Sequence, residues 1–124
     1  MAHRIDIRIR LYCGEEIAMG PGKADLLEAI REHGSISAGG RALDMSYRRA
    51  WLLVDTMNRC WNEPLVATSP GSAHGGGARV TQFGEEVLSR YRALQAGLNG
   101  AAEGAELQAL TSAVRTEPKE SQKA

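Results

Sequence analysis

The chain has two cysteines, Cys13 and Cys60, a single phenylalanine, and no apolar run long enough to span a bilayer. Two isolated thiols cannot build a disulfide framework, so a cytoplasmic chain with reduced thiols is expected. Lacking an apolar span, it offers no transmembrane helix and no membrane partner. Its N-terminus, Met1-Ala2-His3-Arg4-Ile5-Asp6, also lacks the apolar region of a signal peptide. Net charge is missing too, since 15 Lys and Arg balance 15 Asp and Glu. That balance excludes a uniformly basic surface, and any nucleic-acid footprint must come from local distribution. His3, His33 and His74 are widely spaced, and there is no H-E-x-x-H, C-x-x-C, paired-carboxylate site or G-x-S-x-G elbow. The sequence therefore offers no catalytic residue, metal site or cofactor, and the chain is not expected to be an enzyme. Cys13 and Cys60 read as small buried hydrophobes. A small metal- or oxyanion-sensing switch using them and the histidines is a further reading.

What is present is concentrated between Gly34 and Asn58, reading GSISAGGRALDMSYRRAWLLVDTMN. The spacing predicts two short helices joined by a tight turn. Ser37 stands where a side-chain oxygen can cap the first of them. Gly40 falls where two steeply crossing helices leave no space for a side chain. Asp44 occupies the turn, where a left-handed residue is needed and Asp tolerates the strain. Met45 is expected to be buried and Ser46 to cap the second helix. From there Ala50, Leu53, Val54, Met57 and Trp61 recur at three- and four-residue steps, the stripe of one buried helical face. Ser46, Tyr47, Arg48, Arg49, Leu52 and Asp55 fall largely away from it. Such a pair is a helix-turn-helix, whose second helix can enter a major groove. Amphipathic helix pairs without that role also exist, so context must decide.

The context is a hairpin. Leu65-Val66-Ala67-Thr68 and Ala78-Arg79-Val80-Thr81 are short β-favouring runs around a glycine-rich loop ending Gly75-Gly76-Gly77. A hairpin directly after a recognition helix is the wing of a winged helix-turn-helix. No acidic residue lies between Pro64 and Gly84, while His74 and Arg79 can supply positive charge. Exposed glycine amides suit phosphate or minor-groove contact, although a mobile surface loop has the same composition. A phosphate-cradling P-loop is excluded, because Ala78 and Arg79 replace the Lys-Ser/Thr pair and a strand, not a helix, follows.

These residues resemble a family. Gly34-Ser35-Ile36-Ser37, Met45-Ser46-Tyr47-Arg48-Arg49-Ala50-Trp51, Met57-Asn58, Pro64-Leu65-Val66 and Gly75-Gly76-Gly77-Ala78 resemble the N-terminal winged-helix domain of ModE-type molybdate-responsive regulators. Gly20-Pro21-Gly22 leading into Leu26-Leu27-Glu28-Ala29-Ile30, and Thr81 followed by Gly84 and Tyr91, fit as well. The similarity runs from about residue 5 to 95. LysR-type regulators share the helix-turn-helix but match the Tyr-basic-x-Ala-Trp and triple-glycine segments less well. The resemblance implies a homodimeric transcription factor that binds double-stranded DNA. It puts Ser46, Tyr47, Arg48 and Arg49 at the start of the recognition helix and Gly71 to Arg79 in the wing. Two departures stand out. Gly39 and Gly40 replace a usual pair of alanines, and each can cost about 1 kcal/mol of helix stability. The 124 residues also leave no room for the paired C-terminal β-barrel modules that bind molybdate in full regulators, so this chain is not expected to bind it.

The remaining segments complete the expected architecture, mainly α with a small antiparallel sheet. Residues 1–96 are read as the DNA-binding domain, 97–115 as the end of a dimerisation helix or a helical extension, and 116–124 as a disordered tail. Arg4 to Tyr12 alternates polar and apolar residues and is expected to form a half-buried strand pairing near the wing. Its basic side faces water or touches phosphates. Lys23 to Glu32 forms the first helix, with Leu26, Leu27 and Ile30 inward, His33 favoured by the helix dipole, and Gly34 ending it. Thr81 caps a long last helix in which Phe83, Val87, Tyr91, Leu94 and Leu98 form a seam. The seam packs on its own domain or on a second subunit, as the resemblance favours, and Leu107, Leu110 and Val114 continue it. Arg41, Arg48, Arg49, Arg59 and Arg79 are expected to cluster on the DNA side. Trp51 and Trp61 could stack on bases, but their helical positions favour core or interface packing, with Trp51 lying near the DNA-facing side. The expected DNA-binding residues are then Ser37, Arg41, Ser46, Tyr47, Arg48, Arg49, Leu52, His74, Gly75, Gly76, Gly77 and Arg79. The alternative is a winged-helix protein-interaction module without sequence-specific DNA binding.

Overall fold

The computed structural model describes residues 3–69 and 76–123. Among these residues, five helices and two separate two-stranded antiparallel sheets build a mainly α winged helix-turn-helix. The first sheet pairs β1 (Leu11–Cys13) with β2 (Glu16–Met19). Sequence alternation puts a longer strand over Arg4 to Tyr12, beside the wing, and the structure corrects this. Gly14 adopts a φ of 61°, a left-handed turn that folds the chain back on itself at once. β1 therefore pairs with its immediate successor, and β2 carries Ala18 and Met19 into the core. The residues before β1 lie along the last long helix instead. The Tyr91 hydroxyl donates to the Ile9 carbonyl at 2.6 Å, and the Ile7 N–H donates to Asn99 Oδ1 at 3.0 Å.

Helix α1 (Pro21–His33) opens on proline, which has no amide to leave unpaired at that position. It starts two residues before Lys23 and ends as expected, with Gly34 at φ 78° and its N–H on the Ile30 carbonyl at 2.8 Å. Helix α2 (Ile36–Ala42) corrects the expected cap. Ser35, extended just after the left-handed Gly34, accepts from the Ala38 N–H at 3.0 Å, whereas Ser37 already lies inside the first turn. The α2–α3 turn matches its sequence reading: Asp44 is left-handed at φ 57°, and the Met45 N–H reaches the Gly40 carbonyl at 2.8 Å. A Cβ on Gly40 would stand 2.9 Å from the Ala50 Cβ, so glycine is required by close helix crossing. Met45 is half-buried rather than fully enclosed.

Helix α3 (Tyr47–Cys60) buries Ala50, Val54 and Met57, flanked by the half-buried Leu53 and Trp61. The stripe read from the sequence is thus the packed face. Asn58 joins this helix to the wing. Its Oδ1 accepts from the N–H groups of Leu65 and Val66 at 2.9 and 3.1 Å, and its Nδ2 donates to the Val66 carbonyl at 3.0 Å. Asn58→Ala would leave those backbone groups unpaired beside the fully buried Leu65 and is expected to cost roughly 2–3 kcal/mol. Urea unfolding checks it; an unchanged midpoint would remove the clamp from the account.

The wing pairs β3 (Val66–Ser69) with β4 (Gly77–Val80), Val66 opposite Val80 and Ala67 opposite Arg79. Val66 and Val80 face the core, and the Ala78 N–H donates to the Gly34 carbonyl at 2.8 Å, tying the wing to the α1–α2 junction. Helix α4 (Gln82–Gly100) starts at Thr81, whose hydroxyl accepts from the Gly84 N–H at 2.9 Å and donates to the Pro64 carbonyl at 2.8 Å. Arg92 holds α4 to α1 through Asp25 and Glu28, both at 2.7 Å.

The seam of α4 divides along its length. Val87 and Tyr91 are buried in the chain's own core with Phe83 packed against it, while Leu94 and Leu98 remain exposed. It does not run on unbroken, because α4 ends at Gly100 and Gly104, at φ 115°, precedes a separate helix α5 (Ala105–Ala113). Helix α5 buries none of its residues, and Leu110 and Val114 are exposed. Among the described residues, no helix is long and apolar enough to cross a membrane.

Candidate nucleic-acid interface

The first two turns of α3 point out of the three-helix platform. Ser46 Oγ accepts from the Arg49 N–H at 3.1 Å, fixing where the helix begins. Burying Ala50, Val54 and Met57 turns Tyr47, Arg48, Arg49, Trp51 and Leu52 toward solvent. These side chains flank the apolar stripe on both sides, so packing of one face dictates exposure of the other.

Tyr47 and Trp51, one turn apart, form one wall of an open cleft of about 420 Å³. The start of α2 supplies Ser35, Ile36 and Ser37, and the wing supplies Thr68, Ser69, Gly76, Gly77 and Ala78. Trp51 does not pack into the core, one of the two placements its helical position allows. It is 46% exposed in this cleft, whereas Trp61 does pack, edge-on to Phe83 at 6.3 Å with its indole N–H on the Ala18 carbonyl at 3.0 Å. Ser35, Thr68 and Ser69 were also absent from the expected site. Thr68 and Ser69 sit on the strand that pairs with the glycine run, and that pairing was the signal available.

Among the expected contact residues, Ser37 lines the cleft and accepts from the Arg41 guanidinium at 2.7 Å, which puts Arg41 at its edge. Gly76, at φ 79°, and Gly77 belong to the wing's share of the wall. His74 and Gly75 lie outside the described residues. Arg79 alternates with the inward Val80 and is exposed on the other face of the hairpin, away from the cleft lining. Ser46, Arg48, Arg49 and Leu52 border a second, shallower depression on the far side of α3. The exposed face of α3 thus has an aromatic flank toward the wing and a basic flank away from it.

Charge is distributed unevenly enough to matter. Arg48, Arg49 and Arg79 are exposed and make no ion pair among the described residues. Arg59, expected in the same cluster, is instead held by Glu16 at 2.7 and 2.8 Å and by Asp55 at 2.9 Å. These carboxylates push its pKa up, and its guanidinium holds the Glu16 carboxyl below the ordinary value. Lys23 is the one buried charged side chain among the described residues, and desolvation pushes its ammonium down. Three exposed arginines without an ion pair among the described residues thus stand at the N-terminal end of α3 and on the wing, where backbone phosphates can be met, and Arg10, Arg115, Lys119 and Lys123 are likewise exposed and without one elsewhere.

No family model matches the chain. It is 37% identical over 94 residues to the "Molybdenum transport protein ModE" of Azotobacter vinelandii, covering 76% of this chain and 35% of that protein. It is 42% identical over 80 residues to the "Molybdenum-pterin-binding protein MopB" of Rhodobacter capsulatus, 64% of this chain and 30% of the relative. Identity to the "DNA-binding transcriptional dual regulator ModE" of Escherichia coli K12 is 32% over 86 residues, 69% of this chain and 33% of the regulator. The chain thus matches about a third of the length of these relatives. None of these names is that of an enzyme.

Proposed function

The chain carries a winged helix-turn-helix domain of the ModE type, and from that premise we propose that it is a homodimeric, sequence-specific binder of double-stranded DNA that acts as a transcription regulator in the cytoplasm. One observation carries the reading: a capped helix presents Tyr47, Arg48, Arg49, Trp51 and Leu52 to solvent, its two arginines without an ion pair among the described residues, beside a wing whose Gly76 and Gly77 line the same cleft as Tyr47 and Trp51. In a major groove, Arg48 donates to guanine or phosphate, and Ser46 and Tyr47 contact backbone or base edges. Arg79, on the outer face of the wing, reaches a flanking phosphate, and the Gly76–Gly77 backbone approaches the sugar-phosphate chain closely. Arg41 and Ser37 brace the strand at the cleft edge.

The exposed half of the α4 seam supports the dimer. Leu94 and Leu98 continue the line of Val87 and Tyr91, and Leu94 borders an apolar recess with Leu11 and Trp61. A second copy seated there would set the two recognition helices about one DNA turn, roughly 34 Å, apart. The double substitution Leu94→Glu with Leu98→Glu is expected to yield a monomer in sedimentation equilibrium. A parent chain that sediments as a monomer would end the dimer assignment.

The test of function is fluorescence anisotropy with duplexes selected from genomic fragments. Binding is expected to discriminate between sequences and to fall steeply as salt rises. The resemblance puts oxyanion binding in modules C-terminal to this unit, so molybdate is expected to leave the affinity of these 124 residues unchanged. Absence of duplex binding at low salt would favour the protein-interaction module instead.

A further inference from the structure

The only two cysteines of the sequence, 47 positions apart in the numbering, lie on elements that the fold holds together. Cys13 ends β1, the strand that Gly14 folds onto β2, and Cys60 is the last residue of α3. Two contacts on either side of Cys60 fix that arrangement. Arg59 grips Glu16, the register partner of Cys13, at 2.7 and 2.8 Å, and the Trp61 indole donates to the Ala18 carbonyl at 3.0 Å. The end of the helix is thereby locked on the hairpin, which sets Cys60, between Arg59 and Trp61, beside the strand pair that carries Cys13. Both are free, Cys13 exposed and Cys60 half-buried. Neither takes part in the DNA-facing end of α3, which starts at Ser46. The sequence reading of both as inert buried hydrophobes does not hold for an exposed Cys13.

The geometry points to an oxidative modification site: Cys13 and Cys60 form a reversible intrachain disulfide when the chain meets a peroxide. The exposed Cys13 thiolate attacks the peroxide O–O bond, becoming a sulfenic acid as one water leaves. The Cys60 sulfur then attacks the Cys13 sulfur, forming the S–S bond and expelling the sulfenic oxygen as a second water. The two thiols lose two electrons and two protons, and one hydrogen peroxide is reduced to two waters. The order follows access. Cys60 is partly enclosed, and burial together with the neighbouring thiol pushes its pKa up, so it is the poorer first nucleophile and the better placed resolving partner. A bridge here closes a long loop through the core and pins the end of α3 to the hairpin, constraining the unfolded chain strongly.

The experiment uses the full reduced chain and hydrogen peroxide. Intact mass should fall by two hydrogen atoms, both thiols should become unreactive to maleimide, and a non-reducing peptide map should show Cys13 joined to Cys60 in monomeric chain. Dithiothreitol should reverse all three. The melting temperature of the oxidised form should rise by roughly 10 °C. Cys60→Ser should stop at a Cys13 sulfenic acid trapped by dimedone, and Cys13→Ser should lose the fast reaction with peroxide while remaining folded by circular dichroism. Independent over-oxidation of the two cysteines, or bridges only between separate chains, would overturn the assignment. Neither outcome touches the DNA-binding reading, because both are scored without DNA.

Discussion

Replacing Arg48 and Arg49 together by alanine is expected to lower affinity for a selected duplex by about a hundredfold or more while leaving the fold intact. Each arginine that reads a base or a phosphate is worth about 1–3 kcal/mol, roughly ten- to a hundredfold in binding. Their stability cost is small for a structural reason. Both side chains are exposed, neither makes an ion pair among the described residues, and alanine is the better helix former. The single variants separate the roles. Loss of a base-reading arginine relaxes preference at one position of the duplex. Loss of a phosphate-binding one weakens all sequences alike and lowers the salt slope by about 1 per contact. Arg59→Ala is the control from the same helix, since that guanidinium is already held by Glu16 and Asp55. It should leave DNA affinity within about twofold, by the same reasoning that ranks local charge above total charge. Unchanged binding by the double variant would remove α3 from the interface and leave the protein-interaction module as the better account.

That contrast between Arg48 and Arg59 shows what the sequence could and could not convey. Periodicity located the buried face of α3, and local turn chemistry located Gly34, Asp44, Ser46 and Thr81, because each depends on residues within a turn of itself. Partners distant in sequence were not legible. Arg59 looked like a free cation until folding put Glu16, 43 positions away, against it. Helical position alone leaves Trp51 between core and interface, and the folded chain keeps its indole half in water, beside the stripe and not in it. Ser37 satisfies the capping rule as read from the sequence, but the helix begins two residues earlier, where Ser35, extended just after the left-handed Gly34, takes the cap. The alternation from Arg4 to Tyr12 is real, with Ile7 and Ile9 half-buried between exposed neighbours, but its partner is the flank of α4 and not a strand. A period of two reports two-sidedness, and many surfaces can supply the second side.

The wing's attachment is the other point where a small change should have a large effect. A Cβ on Gly84 would stand 2.2 Å from the Leu65 carbonyl oxygen and 2.8 Å from Val80 Cγ1. That oxygen cannot yield cheaply, because it accepts from the Thr81 N–H at 2.9 Å and from the Thr81 hydroxyl at 3.3 Å. Gly84→Ala should therefore destabilise the chain by about 2–4 kcal/mol, since overpacking against backbone exceeds the roughly 1 kcal/mol that alanine adds to a helix. Gly97→Ala, in the same helix with nothing within 4 Å of the new Cβ, isolates that propensity gain and should stabilise by about 0.5–1 kcal/mol. Calorimetry should thus show melting temperatures moving in opposite directions for the same substitution at two sites of α4; a Gly84→Ala chain as stable as the parent would refute the contact. The Leu65 carbonyl also precedes the strand that Asn58 clamps, so moving it shifts β3 and the whole wing relative to α3. Gly84→Ala should then weaken duplex binding even at temperatures where the chain stays folded, although Gly84 touches no DNA in the proposed complex. The distance between wing and recognition helix, set by one missing methyl group, is on this account as much a part of DNA recognition as the arginines themselves.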